Sequence, residues 1–159
     1  MGKRIRKEKI GEILEREGLI SPEQVEEALE LQQEAGCMFG EALVELEFAT
    51  EEDIAISLVN QLGCPFMKCS QYNYDSMTDL IDLIPEDILR ENAFMPVDQV
   101  GNTIMIVSAG PLAPEVEKKI MNLTGCDISL FISTPSDIRE AIDAYLFKKE
   151  KDKEKQAQQ

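Results

Sequence analysis

Apolar residues return at spacings of three and four in two early stretches, Val25, Ala28 and Leu29 with Gln32 in phase, then Ile54 and Leu58 with Gln61 in phase. That spacing puts each set on one helical face. Ser21 and Thr50 stand just ahead of these stretches as N-cap residues before acidic first turns. Pro22 at the first helical position and Gln24 at the third complete a capping-box pattern after Ser21, and Asp53 occupies the matching place after Thr50. Gly36 and Gly63 are placed to end the two helices in the left-handed conformation open to glycine.

The two stretches are copies of one unit. With residues 9–32 laid over residues 38–61, Gly11, Glu12, Leu14, Glu23, Leu29 and Gln32 fall on Gly40, Glu41, Leu43, Glu52, Leu58 and Gln61. Between them Ile10 meets Phe39, Leu19 meets Phe48, and Val25 meets Ile54. A repeat of this kind predicts two related helical hairpins, each a short helix, a turn and a longer helix.

The texture changes from about Leu62. Gly63, Cys64, Pro65 and Phe66 break the helical period, and Tyr72, Asn73, Tyr74 and Asp75 read as a loop, so a boundary is expected near 65–76. A short helix near Met77–Leu83 and another begun by Pro85 follow. Ala93–Val100, the turn Gly101–Asn102 and Thr103–Ser108 read as a β-hairpin, because two β-rich runs flank a two-residue turn that tolerates positive φ. Pro114, Val116, Ile120 and Leu123 mark a helix ending near Thr124–Gly125, Ile128–Ile132 a further strand, and Thr134–Pro135 the start of a last helix with Ile138, Ala141, Ile142 and Tyr145 on one face.

The fold expected is therefore α+β, with N-terminal tandem helical hairpins (1–64), a small mixed sheet with packed helices (76–147) and a flexible charged tail (148–159), a frayed helix or a disordered segment, in which no apolar stripe continues.

Composition narrows the possible chemistry. With 43% hydrophobic and 30% charged residues the chain has material for a core. Its longest apolar runs are far short of the roughly 20 residues that span a bilayer, and no cleavable leader pattern is present, so a cytoplasmic place is expected, with membrane contact only through a partner. The net charge is −15, and residues 10–147 alone hold 27 acidic against six basic residues. Such a body repels polyanions, which excludes general nucleic-acid binding and favours basic protein partners. There is no histidine, and the four cysteines lack metal-ligand spacing, so no metal site is expected and the thiols are read as free. No Gly-rich phosphate loop ending in Lys and Ser/Thr occurs and no nucleophile stands out, so the chain is not expected to be an enzyme.

Lys9, Ile10, Gly11, Leu14, Gly18, Leu19 and Ile20, followed by Leu29 and Gln32, resemble the tandem motif of the N-terminal domain of type II secretion and type IV pilus assembly ATPases, the MshEN domain. Ala93–Val97, Gly101, Asn102, Ile104, Ile106, Ala109 and Pro111, then Ser136–Ile138 with Ala141 and Ile142, resemble the rest of that region, so the likeness spans roughly 8–147. The resemblance implies a regulatory domain that, in those ATPases, precedes the motor.

Some family members bind cyclic di-GMP, and the resemblance implies two half-sites: Lys9, Ile10, Gly11, Val25, Leu29 and Gln32, and Met38, Phe39, Gly40, Ile54, Leu58 and Gln61. Three positions depart from the pattern. Lys9 keeps a charge but not the planar fork of arginine, Met38 carries no charge, and Glu47 stands where the first copy has Gly18. The functional expectation is a free-standing, non-catalytic regulatory or adaptor module acting by protein–protein docking with a platform or motor component. The alternatives are a cyclic di-GMP sensor with a partly degraded site and a fragment of a longer secretion ATPase. No cofactor is expected; cyclic di-GMP is the one candidate ligand, and the oligomeric state is left open.

Overall fold

A computed structural model describes residues 10–69 and 78–157. The chain divides between Cys64 and Pro65 into two compact units. In the first, α1 (Ile10–Arg16), α2 (Pro22–Ala35), α3 (Phe39–Glu45) and α4 (Glu51–Leu62) follow one another. The caps explain these boundaries. Ser21 Oγ accepts from Gln24 N at 3.2 Å while Gln24 Oε1 accepts from Ser21 N at 2.9 Å; Thr50 and Asp53 repeat the exchange at 3.1 Å in both directions. Gly36 and Gly63 close α2 and α4 at φ 67° and 68°.

The two hairpins interleave. α1 packs against α4 and α2 against α3, so each short helix rests on the long helix of the other copy. Leu14, Ile20, Ala28, Ala42 and Leu43 form the buried centre of this unit.

The second unit holds α5 (Thr78–Ile81), α6 (Glu86–Glu91), β1 (Phe94–Val100), β2 (Thr103–Ser108), α7 (Pro114–Thr124), β3 (Asp127–Ile132) and α8 (Pro135–Ala157). Its sheet has the order β1-β2-β3, with β1 and β2 antiparallel and β2 and β3 parallel through the α7 crossover. Gly101 at φ 59° makes the two-residue turn, and Pro96 stands on the edge strand β1 next to an unpaired Val97, a bulge on an edge, where a missing N–H and a broken register do less harm than on the central β2. Phe94, Met95, Ile104, Ile106, Val107, Ile120, Ile138 and Ile142 build its core.

Several boundaries differ from expectation. The first strand starts at Phe94, because Ala93 adopts φ 48° where the chain leaves α6. The helix expected near Met77–Leu83 is the four-residue α5; Met77, like the loop read at Tyr72–Asp75, lies outside the described residues. The stretch 65–69, read as part of a boundary loop, is joined to the second unit: Phe66 bridges Ile132 in parallel, and Asp137 Oδ2 accepts from Cys69 N at 2.8 Å and from Ser133 Oγ at 2.6 Å. Nor does α8 stop at Phe147. The Lys/Glu run, expected as a frayed helix or a disordered tail, is helical through Ala157, with a 2.8 Å ion pair between Lys149 Nζ and Asp82 Oδ1 and Lys151 Nζ 4.6 Å from the Phe147 ring centre, in residues of good helix propensity.

Candidate ligand and docking site

The candidate residues sit on the interleaved helices of the first unit, and the glycines among them lie where neighbouring side chains approach closely. A Cβ on Gly11 would lie 3.1 Å from Phe39 Cε1, and one on Gly40 would lie 3.3 Å from Ile54 Cγ2. Helix α1 thus meets the first residue of α3, and α3 meets the first apolar residue of α4. Ile10, Val25, Phe39 and Ile54 pack half-buried around the central cluster. Gln32 and Gln61 are half-buried in the last turns of the long helices.

The half-sites differ in what they present. Leu58 is 7% exposed, whereas Leu29 is 46% exposed, and Met38 is 60% exposed at the N-cap of α3. Met38 has no side-chain oxygen to cap with; its backbone N donates to Glu41 Oε2 at 3.4 Å instead. Lys9 lies outside the described residues. Ile10, Gly11, Val25, Phe39, Gly40 and Ile54 are therefore brought around one cluster, while Leu29 and Met38 remain on the surface.

The turns after α1 and α3 share one backbone path. Leu19 N donates to Leu14 O and Gly18 N to Glu15 O; Phe48 N donates to Leu43 O and Glu47 N to Val44 O, all within 3.0–3.1 Å. This six-to-one closure needs a residue with positive φ, and Gly18 supplies it at 77° while Glu47 is held at 59°. The charge of the unit is as distinctive as its shape: residues 10–64 contain Arg16 as their one basic residue against fourteen Asp and Glu. Among the described residues no group of three or more His, Cys, Asp or Glu is placed to hold a metal ion.

Sequence reasoning missed the polar cluster of the second unit. Tyr145 donates its hydroxyl hydrogen to Asp82 Oδ1, the oxygen that also pairs with Lys149. Burial opposes ionisation of Asp82, but the hydrogen bonds from Lys149 and Tyr145 and the charge of Lys149 outweigh it, so its carboxyl lies below the ordinary range. Burial, then the Asp82 hydrogen bond and charge, push the Tyr145 phenol well above its ordinary value. Nearby, Arg90 pairs with Asp143 at 2.8 Å and Glu86 at 2.9 Å, and these bonds hold its guanidinium above its usual pKa. The i,i+4 spacings Glu86/Arg90 and Tyr145/Lys149 were the available signals; the partners 53 to 67 residues away in sequence were not.

Interleaved short helices followed by a three-stranded mixed sheet define a two-unit α+β module with a glycine-pinned helical repeat. The chain belongs to the MshEN domain family, whose model matches residues 62–151. That match falls on the second unit, whereas the tandem motif lies in the first, and the wider similarities cover both. The type IV pilus assembly ATPase PilB of Myxococcus xanthus (strain DK1622) is 30% identical over 141 residues, 89% of this chain; the chain spans 25% of that relative's length. A structure of MshE with cdg superposes with TM-score 0.70 at 25% identity, covering 87% of this chain and 99% of the other. The N-terminal domain of XpsE has TM-score 0.72 at 20% identity, covering 90% and 97%, which is a likeness of fold. Among the described residues, no helix is long and apolar enough to cross a membrane.

Proposed function

We propose that this chain is a non-catalytic regulatory or adaptor module of a pilus- or secretion-type ATPase system that acts by docking onto a protein partner. The observation that carries this reading is the helical stretch 10–64 of the first unit, which holds fourteen acids against one arginine, with Leu29, Met38 and Ile56 exposed among them. An acidic surface with apolar points fits a basic protein face, through steering at long range and burial at contact. In this reading the module is cytoplasmic and reaches the inner membrane only through the partner, a platform or motor component. Titrating the chain with the cytoplasmic part of such a protein is expected to give saturable binding that weakens as salt rises. Absence of binding at low salt overturns the reading.

A second reading, a cyclic di-GMP sensor, is favoured by the likeness to MshE with cdg, taking cdg as cyclic di-GMP, and by the retained Gly11 and Gly40. The donors weigh against it. Losing one charge-assisted contact costs about 1.5–3 kcal/mol, roughly tenfold to a hundredfold in affinity, and Met38 offers none. Calorimetric titration with cyclic di-GMP, with GTP as control, is expected to show no saturable heat in the micromolar range. Selective micromolar binding that Lys9→Ala weakens replaces docking with nucleotide sensing as the primary role.

A further inference from the structure

The two edges of the sheet are treated differently by the sequence. β1 carries Pro96 and an interrupted register at Val97, devices that blunt an edge against further pairing. β3, Asp127-Ile-Ser-Leu-Phe-Ile132, has no proline, no lysine and an unbroken register with β2. Its backbone direction can be read residue by residue. Asp127 N donates to Asn102 O and Ser133 N to Ser108 O, so odd-numbered residues face β2. Ile132 N donates to Pro65 O and Met67 N to Ile132 O, so even-numbered residues face outward. At Ile132 the outward groups are taken by the chain's own Pro65–Met67, which runs parallel to β3. At Ile128 and Leu130 they have no backbone partner among the described residues.

The surroundings of this open stretch are apolar. Ile128 and Leu130 are only half-buried, whereas Ile104 and Ile106, their register partners on β2, are fully buried. Met121 and Leu123 are exposed on α7, the helix that packs on β3, and Phe66 is exposed at the far end of the edge. Unpaired strand groups flanked by exposed apolar side chains form a template for strand addition.

The geometry points to Ile128–Leu130 as the docking site for an extended segment of a partner protein, added parallel to β3 in line with the strand already begun by Pro65–Met67. The segment is apolar at alternate residues, and a basic residue at its amino-terminal end lies beside the exposed Asp127. A second copy of this chain is the poorer occupant, because two bodies of net charge −15 repel each other, whereas a basic segment is attracted. The inference goes beyond the docking reading above: it uses the sheet of the second unit and stands whether or not the acidic helices of the first unit bind anything.

Amide hydrogen exchange followed by NMR on the full chain tests it, with the acetylated and amidated peptide Lys-Val-Thr-Val-Thr-Val-Lys as probe. Without peptide, the Ile128 and Leu130 amides are expected to exchange at least about tenfold faster than those of Ser129 and Phe131, because only the latter point into the ladder. With peptide, Ile128 and Leu130 gain protection, the gain shrinks when both lysines of the probe become Glu, and Leu130→Pro, which removes an outward donor and no ladder bond, abolishes it. The exchange pattern of the unmodified chain keeps the test valid if Leu130→Pro fails to fold. Equal protection at all four amides without peptide, or no change at millimolar peptide, overturns the proposal. Protection that grows with protein concentration alone assigns the edge to a second copy and overturns it as well.

Discussion

The two copies of the helical repeat solve the same backbone problem with different side chains. Their short helices are both seven residues long, their long helices start from the same capping exchange, and their intervening turns make the same bonds. Yet Gly18 becomes Glu47, and exposed Leu29 becomes buried Leu58. Backbone hydrogen bonds and caps hold the shape in both, which leaves the side chains free to diverge wherever the shape does not need them. The first copy keeps a relaxed turn and leaves a leucine on the surface; the second buries its leucine and accepts a strained turn.

Truncating the paired leucines breaks the comparison open with the largest effect. Leu58→Ala is expected to destabilise the protein by about 2–4 kcal/mol, in the range of buried leucine truncations, while Leu29→Ala changes stability by no more than about 0.5 kcal/mol. Urea unfolding of both variants measures this. Equal losses would mean that the two helices bury their faces alike.

The turns come next. Glu47→Gly is expected to stabilise the second copy by about 1 kcal/mol by removing the left-handed penalty, and Gly18→Ala to destabilise the first by a similar amount. Nothing lies within 4 Å of a Cβ built at Gly18, so the cost there is conformational rather than a clash. Opposite shifts in the urea midpoint confirm that one turn is relaxed and the other strained; shifts of the same sign refute it.

The caps should behave alike. Ser21→Ala and Thr50→Ala are each expected to cost about 1 kcal/mol, since each removes one half of a reciprocal exchange. A cap that proved silent in one copy would show that its helix is held by packing instead.

Much of this was legible in the residues. The repeat, the caps at Ser21 and Thr50, the glycine stops and the hairpin turn at Gly101 follow from local chemistry that acts within a few residues, and local chemistry is what a linear chain displays. The positive φ at Glu47 was readable because Gly18 occupies the matching place in the repeat. What escaped were the joining of 65–69 to β3 and α8, the left-handed Ala93, and the ion pair of Lys149 with an aspartate 67 residues earlier, which favours continued helix over the disordered alternative. In the candidate site the resemblance supplied the residues of the two half-sites but not the glycine contacts with Phe39 and Ile54, and the exposure of Leu29 against the burial of Leu58 was not readable either, because both positions carry the same residue.

The smallest effect belongs to the second unit and separates it from the repeat. Because Asp82 has a folded-state pKa below its ordinary value of about 3.9, its ion pair and hydrogen bond contribute stability that is fully present above the unfolded pKa and lost as pH falls through the folded one. The pair is partly exposed, so its contribution falls within the about 0.2–1 kcal/mol typical of such pairs and shrinks with salt. Asp82→Asn should therefore melt lower than the unmodified chain at pH 6, with the gap closing below about pH 4 as the native carboxyl takes up its proton. Exchange at the amides of α8 should rise in the variant at pH 6 while those of α2 and α4 stay unchanged, because neither repeat contains this cluster. A gap that does not shrink at all as pH falls from 6 into the acid range would show that packing at Asp82, not its charge, holds the extended helix in place.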